Sequence, residues 1–139
     1  IRDRLPREPQ SDLPGEVWLP LPGFEDAYEV SDHGRIKSLT RSVPIGSTEK
    51  RIAGRILRPS ATTGGYPKVT LSRQSRRTTL LVHRIVLEAF VGPCPDGMEA
   101  CHNDGDQTNN VPSNLRWDTH AANNRDRHRH GTYSRKGKR

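Results

Sequence analysis

The chain has 139 residues and a mass of 15.6 kDa, a length that suits one small domain, or a compact domain with an appended motif, and not a multidomain enzyme. Hydrophobic residues make up 30% and aromatics 5%, while Lys+Arg 23 against Asp+Glu 16 gives a net charge of +7 and a pI near 10.0; the core must be modest, and a polyanion is the first partner to consider. No apolar run approaches the roughly 18 residues of a membrane span, the polar start Ile1 to Gln10 has no signal-peptide core, and Cys94 and Cys101 alone make neither a disulfide framework nor a four-thiolate zinc site, so the expectation is a cytoplasmic protein with reduced thiols and no membrane partner.

In chain order, residues 1–15 are expected to form a flexible segment. Val17-Trp18-Leu19, Tyr28-Glu29-Val30 and Gly34 to Leu39 then predict short strands, the last two forming a hairpin around Ser31-Asp32-His33-Gly34. Trp18, Phe24 and Tyr28 are expected to anchor this piece, and residues 40–53 to form a polar loop. Strand-like runs return at Arg55 to Arg58, Tyr66 to Ser72 and Thr78 to Val82, with turns at Gly64-Gly65 and Arg76-Arg77. The period then changes: Val82, Ile85, Val86, Ala89 and Phe90 fall on one face of a helix that Gly92-Pro93 stops. Past Pro93 to Gly97, a strand ending in Cys101-His102 and a strand opened by Asn114-Leu115-Arg116-Trp117 flank an irregular, turn-rich loop. Asp118 or Thr119 can cap a second helix from His120 to His130, ended by Gly131, and 132–139 is a basic tail expected to be disordered alone.

The positive charge is unevenly distributed. Residues 1–82 carry +5, residues 83–118 carry −4 and residues 119–139 carry +6. Between Arg35 and Arg77 eleven basic residues face the single acid Glu49. Two basic arms around an acidic middle are what phosphate contacts on either side of a cation site would require. The expected contacts are Arg35, Lys37, Lys68, Arg73, Arg76, Arg77, Arg84, Arg116, Arg125 and Arg127.

Eleven residues separate His102 from Asn114, and eight separate Asn114 from Asn123. On a strand, loop, strand, helix frame these three can converge on one pocket. This spacing, with Asp104-Gly105-Asp106 and Asn109-Asn110 between, resembles the HNH endonuclease family, whose fold is a ββα-metal (His-Me finger) unit; the third motif position is Asn here. Val82-His83-Arg84, Ala89-Phe90-Val91-Gly92 and Cys101 to Asp106 look like the phage-borne and homing branch of that family. The upstream segments Glu16-Val17-Trp18, Pro22-Gly23-Phe24, Tyr28 to Ser31 and Gly34 to Leu39 resemble the NUMOD-type DNA-binding motif found next to such nucleases. Together the resemblances cover about residues 16–131. They imply an α+β protein: a strand-rich DNA-binding module over 16–81, and an HNH nuclease domain over 82–131 that hydrolyses DNA phosphodiesters to 5′-phosphate and 3′-hydroxyl ends.

Phosphodiester hydrolysis needs an activated water and positive charge on the leaving oxygen. A neutral imidazole suits the first task, so His102 is the expected general base, and the resemblance assigns Asn114 to orient it. One divalent cation, magnesium or manganese first and zinc or nickel as alternatives, would be held by Asn123 and by the residue before the base. That residue is Cys101, where relatives carry Asp or His, and it reads either as a ligand or as a buried small residue. Asp104 or His120 could supply a missing ligand, and His83 could approach the site or a phosphate, or else serve packing or helix capping. His33, His128 and His130 read as surface residues and Cys94 as structural.

The resulting expectation is a phage- or mobile-element-encoded DNA endonuclease in a bacterial host, acting on double-stranded DNA as a monomer or weak dimer. Two other readings remain open at this point: a DNA-binding protein of the same fold without catalysis, for instance beside phage packaging proteins, and a structural zinc module built on Cys94, Cys101 and histidines.

Overall fold

The computed structural model describes residues 12–130, with side chains as far as Asp126. The basic tail 132–139, Gly131, most of the N-terminal segment and the side chain of Arg127 lie outside the described residues.

Strands β1 (Trp18–Pro20), β2 (Tyr28–Ser31), β3 (Ile36–Ser38) and β6 (Arg55–Ile56) form one antiparallel sheet in that order. The turn between β2 and β3 is the expected one, closed by Gly34 N donating to Ser31 O at 3.0 Å, with Gly34 at φ 81°. Residues 40–53 depart from the expected loop. They form a hairpin, β4 (Arg41–Ile45) with β5 (Thr48–Ile52), in the register Arg41 to Ile52 through Ile45 to Thr48. Most of its side chains are exposed, so no apolar alternation marks it in the sequence.

A three-stranded sheet follows: β7 (Ser60–Ala61), β8 (Pro67–Arg73) and β9 (Arg76–Leu81). Its tight turn is Gln74-Ser75, both residues at positive φ (53° and 66°), and Arg73 pairs with Arg76. Arg76-Arg77 therefore lies within the strand and not at the turn, because the two-residue hairpin loop takes the left-handed conformation on residues other than glycine.

Chain direction changes straight from β9 into helix α1 (Val82–Phe90). Its apolar face buries Val82, Ile85, Val86 and Leu87 against Val30 and Ile36 of the first sheet, Val69 and Leu71 of β8, and Leu21 and Leu115. At roughly 1.5–3 kcal/mol for each fully buried aliphatic side chain, this cluster is the main source of stability. Residues from both sides of position 82 share it, so the two stretches distinguished by sequence pack on a single core. Tyr28 ties the sheets together, its hydroxyl accepting from Ser72 N at 2.9 Å. Gly92 (φ 140°) and Pro93 stop α1 as expected.

Strands β10 (Met98–His102) and β11 (Leu115–Thr119) pair antiparallel, with Cys101 opposite Arg116 and His102 opposite Leu115. Asn114 does not open β11; it ends a 3-10 turn, Pro112–Asn114, directly before it. Trp117 Nε1 donates to Gly92 O at 2.9 Å, which fixes the hairpin to the end of α1. Helix α2 (His120–His130) has the predicted bounds but no apolar face. Polar contacts hold it instead: Thr119 Oγ1 caps Ala122 N at 3.2 Å, Asp126 pairs with Arg116, and Asn123 bonds Glu99.

Candidate active site

Alternation along β10 divides its side chains between two environments. Ala100 and His102 face α1 and the core, while Glu99 and Cys101 face α2. His102 is buried (8% exposed), with its Nε2 2.7 Å from Asn110 Oδ1. An amide oxygen only accepts, so Nε2 bears the proton and Nδ1 bears the lone pair. Nδ1 takes no hydrogen bond among the described residues. Burial pushes the His102 pKa down, with Asn110, Asp104 and Asp106 opposing that shift, so the ring is a neutral base near pH 7.

Asn114, expected to orient this ring through its side-chain amide or neighbouring backbone, uses its amide to build the loop beneath it. Its Oδ1 accepts from Asp104 N at 3.1 Å, and its Nδ2 donates to Asp104 Oδ1 at 2.9 Å and to Asn109 O at 2.8 Å. Asp104 Oδ1 also accepts from Asp106 N, and its Oδ2 from Asn109 Nδ2. These hydrogen bonds hold the Asp104 carboxyl down at about 2. Asp104 is thus committed to the loop, and Asn110, presented by that loop, is the residue on the imidazole. The adjacent asparagines 109 and 110 were visible in the sequence, but only the folded loop distinguishes which of them touches the ring.

His83 is buried and packs beside His102. Its ring lies 4.8 Å from that of His102 and stacks on Tyr66 at 5.4 Å. His83 Nδ1 is buried without a hydrogen-bond partner among the described residues. Desolvation, then the proximity of His102 and Arg84, lowers its pKa to about 4. The folded state therefore binds fewer protons than the unfolded one between that value and the ordinary 6.5. Stability should be at its full value above pH 6.5, where His83 is neutral in both states, and should fall by an amount on the order of 3 kcal/mol as pH drops to 4. Urea unfolding at pH 7.5 and pH 4.5 measures this, and a His83→Phe variant should have a clearly shallower pH dependence.

On the opposite face, Cys101 is 1% exposed and its Sγ lies 3.7 Å from Glu99 O. Burial, followed by the neighbouring carboxylates against the pull of Arg116, raises its pKa to about 11. Asn123 Nδ2 donates to Glu99 Oε2 at 2.5 Å, His120 Nδ1 lies 3.2 Å from Glu99 Oε1, and His120 Nε2 lies 3.2 Å from Asn124 Nδ2. Glu99 was not singled out from the sequence, although its place two residues before Cys101 on a strand puts it on the same face. Among the described residues no group of three or more His, Cys, Asp or Glu side chains converges as a metal cluster. Cys94, in turn, places its Sγ 3.2 Å from Met98 O. The structural zinc module therefore has no ligand set in this region.

The predicted phosphate contacts separate into two groups. Arg35 is engaged internally, its Nε and Nη2 donating to Glu16 at 2.9 and 2.5 Å. Lys37 lies 4.1 Å over the Trp18 ring and 3.6 Å from Glu29. Arg73 donates to Gly23 O at 2.6 Å and faces Asp26 at 3.6 Å. Arg84 covers Trp117 at 5.1 Å and pairs with Glu88 at 3.8 Å, and Arg116 bonds Asp118, Asp126 and Asn103. Counting charges along a sequence cannot reveal such internal partners. Arg76, Arg77 and Arg125 are exposed and take no partner among the described residues, while Lys68 lines a cavity of about 230 Å³ with Arg55 and Arg58.

Comparison with known proteins matches residues 16–72 to the NUMOD4 motif and residues 80–125 to the HNH endonuclease model. DNA endonuclease I-HmuI of Bacillus phage SP01 is 29% identical over 106 residues, covering 76% of this chain and 54% of that protein. An uncharacterized HNH endonuclease, L245 of Acanthamoeba polyphaga mimivirus, is 30% identical over 98 residues, covering 70% of this chain and 26% of that protein. The solved structure described as DNA binding and cleavage by the HNH homing endonuclease I-HmuI superposes with a TM-score of 0.67 at 29% identity, over 85% of this chain and 61% of that one. The chain thus spans about half the length of the phage relative.

Proposed function

The chain is a member of the HNH endonuclease family with a NUMOD4 motif ahead of its HNH domain, and from that premise we propose that it hydrolyses phosphodiester bonds of double-stranded DNA with His102 as general base. The observation that carries this reading is the fixed imidazole: Nε2 is anchored on Asn110 Oδ1 at 2.7 Å, so the unprotonated Nδ1 is the atom left to receive a proton from water. Tyr66 and His83 pack against that ring and keep it from rotating. Asn114 and Asp104 act one step further out, by shaping the loop that presents Asn110.

The reaction also needs charge neutralisation at the leaving oxygen, which a bound divalent cation supplies. The side-chain oxygen of Asn123 is a hard donor that suits magnesium or manganese, with Cys101 remaining a buried thiol. The products would be 5′-phosphate and 3′-hydroxyl ends. A protein that only binds DNA is the less favoured reading, since among the described residues no hydrogen-bond partner occupies the second ring nitrogen of His102.

The direct test is incubation of the purified chain with supercoiled plasmid and Mg²⁺, Mn²⁺, Zn²⁺ or Ni²⁺ in turn. Conversion to nicked or linear plasmid that a chelator stops supports the reading, and intact plasmid under every condition overturns it. Phosphate contact by β9 has its own measurement. Arg76→Ala with Arg77→Ala should reduce the slope of log affinity against log salt by about 2, since each lost phosphate contact removes about one unit. The same change at Arg35 and Arg73, whose guanidinium groups are bonded internally, should alter the slope less.

A further inference from the structure

If this domain takes a divalent cation, as the reading above requires, the chain must provide a carboxylate without using the position before the base. That position is Cys101, packed at 1% exposure opposite Arg116 and beneath α2. The nearest acidic side chain on the same strand face is Glu99, half-buried, with one carboxylate oxygen 2.5 Å from the Asn123 amide and the other 3.2 Å from His120 Nδ1. Strand and helix thus bring a carboxylate and a side-chain amide into direct contact.

We propose that Glu99 is the cation-binding carboxylate of this protein, displaced by two residues along β10, and that it binds Mg²⁺ or Mn²⁺ together with Asn123 Oδ1. Two features besides proximity support this. Asn123 directs its amide nitrogen at Glu99, so rotating the amide by half a turn would bring Oδ1 to the same place and make an all-oxygen donor pair. His120 holds the second carboxylate oxygen through Nδ1–H while Asn124 donates to Nε2, which fixes the carboxylate orientation as outer-shell partners of metal ligands do. His120 is here a positioning residue. Glu99 and Asn123 would hold the cation on the α2 face of β10, where it would supply charge neutralisation at the leaving oxygen, while His102 lies on the other face of the strand.

The measurement is Mn²⁺ titration of the ¹⁵N-labelled full chain without DNA, read by paramagnetic broadening, which does not depend on cleavage. The Asn123 side-chain amide signals should broaden first. Glu99→Gln, which keeps size and hydrogen bonding, should lose that broadening, and His120→Ala should raise the Mn²⁺ needed by about tenfold or more. Cys101→Ser should leave the titration unchanged. Broadening that survives in Glu99→Gln, or that vanishes in Cys101→Ser, overturns the assignment. A dispersed amide spectrum for each variant separates lost binding from lost folding, and Glu99→Ala is the second variant if Glu99→Gln fails that criterion. Plasmid nicking by the parent chain together with unaltered broadening in Glu99→Gln would refute Glu99 alone, whereas absence of nicking would refute the endonuclease reading itself.

Discussion

His102→Ala should reduce metal-dependent nicking of plasmid by about 10²- to 10⁴-fold, the range for removal of a general base, while leaving DNA affinity nearly unchanged. The division follows from the geometry. The imidazole lies at the bottom of the site, 8% exposed and enclosed by Tyr66, His83 and Asn110, so it contributes little to a surface contact with DNA. The variant should remain folded but lose stability on the order of 1–3 kcal/mol, because the Asn110 oxygen is left buried without its donor. Added imidazole should restore part of the rate if proton transfer is what was lost, and no rescue together with weaker DNA binding would point to a structural role instead. The pH profile gives a second readout. Burial holds the His102 pKa below its ordinary 6.5, so in the parent chain the acidic limb of nicking should lie below that value.

How much of this was legible in the sequence depends on whether each contact leaves a periodic trace. Helix α1 was readable because Val82, Ile85 and Val86 recur at the helical period, and they are the residues that enter the core. Helix α2 was readable only by its end signals, Asp118 or Thr119 before it and Gly131 after it, since its attachment through Asp126, Asn123 and His120 is polar and leaves no apolar stripe. The β4–β5 hairpin left no trace because both of its faces meet solvent. The spacing of His102, Asn114 and Asn123 marked the right region, yet it could not assign Asn110 to the imidazole: that contact depends on a loop folded by three hydrogen bonds to the Asp104 carboxylate. The internal partners of the basic arms left no trace either, since Arg35 and Arg73 are positive in sequence but bonded to Glu16 and Gly23 in the fold.

The loop that carries Asn110 also packs on the N-terminal motif at Gly34, and Gly34→Ala should expose that dependence. Gly34 turns the β2–β3 hairpin at φ 81°, in the left-handed region, where a side chain costs roughly 1–2 kcal/mol. An added Cβ would lie 2.8 Å from Asn110 O and 3.3 Å from Asn110 Cβ, closer than packed atoms tolerate. Relief requires moving either the hairpin or residue 110, at a further cost of about 1–3 kcal/mol. The sum, on the order of 2–5 kcal/mol, should lower the melting temperature by roughly 10 °C in a chain of this size. Nicking should fall by more than the folded fraction does, because Asn110 is the group that fixes the His102 tautomer. Gly23→Ala, at a comparable φ of 86° but with open space around the new methyl, is the control for the backbone cost alone. Equal losses of nicking in the two variants, at temperatures where both are folded, would refute a link from the hairpin turn to the imidazole. A selective loss in Gly34→Ala would establish that the DNA-binding motif and the nuclease loop are one mechanical unit, consistent with the single core that both share.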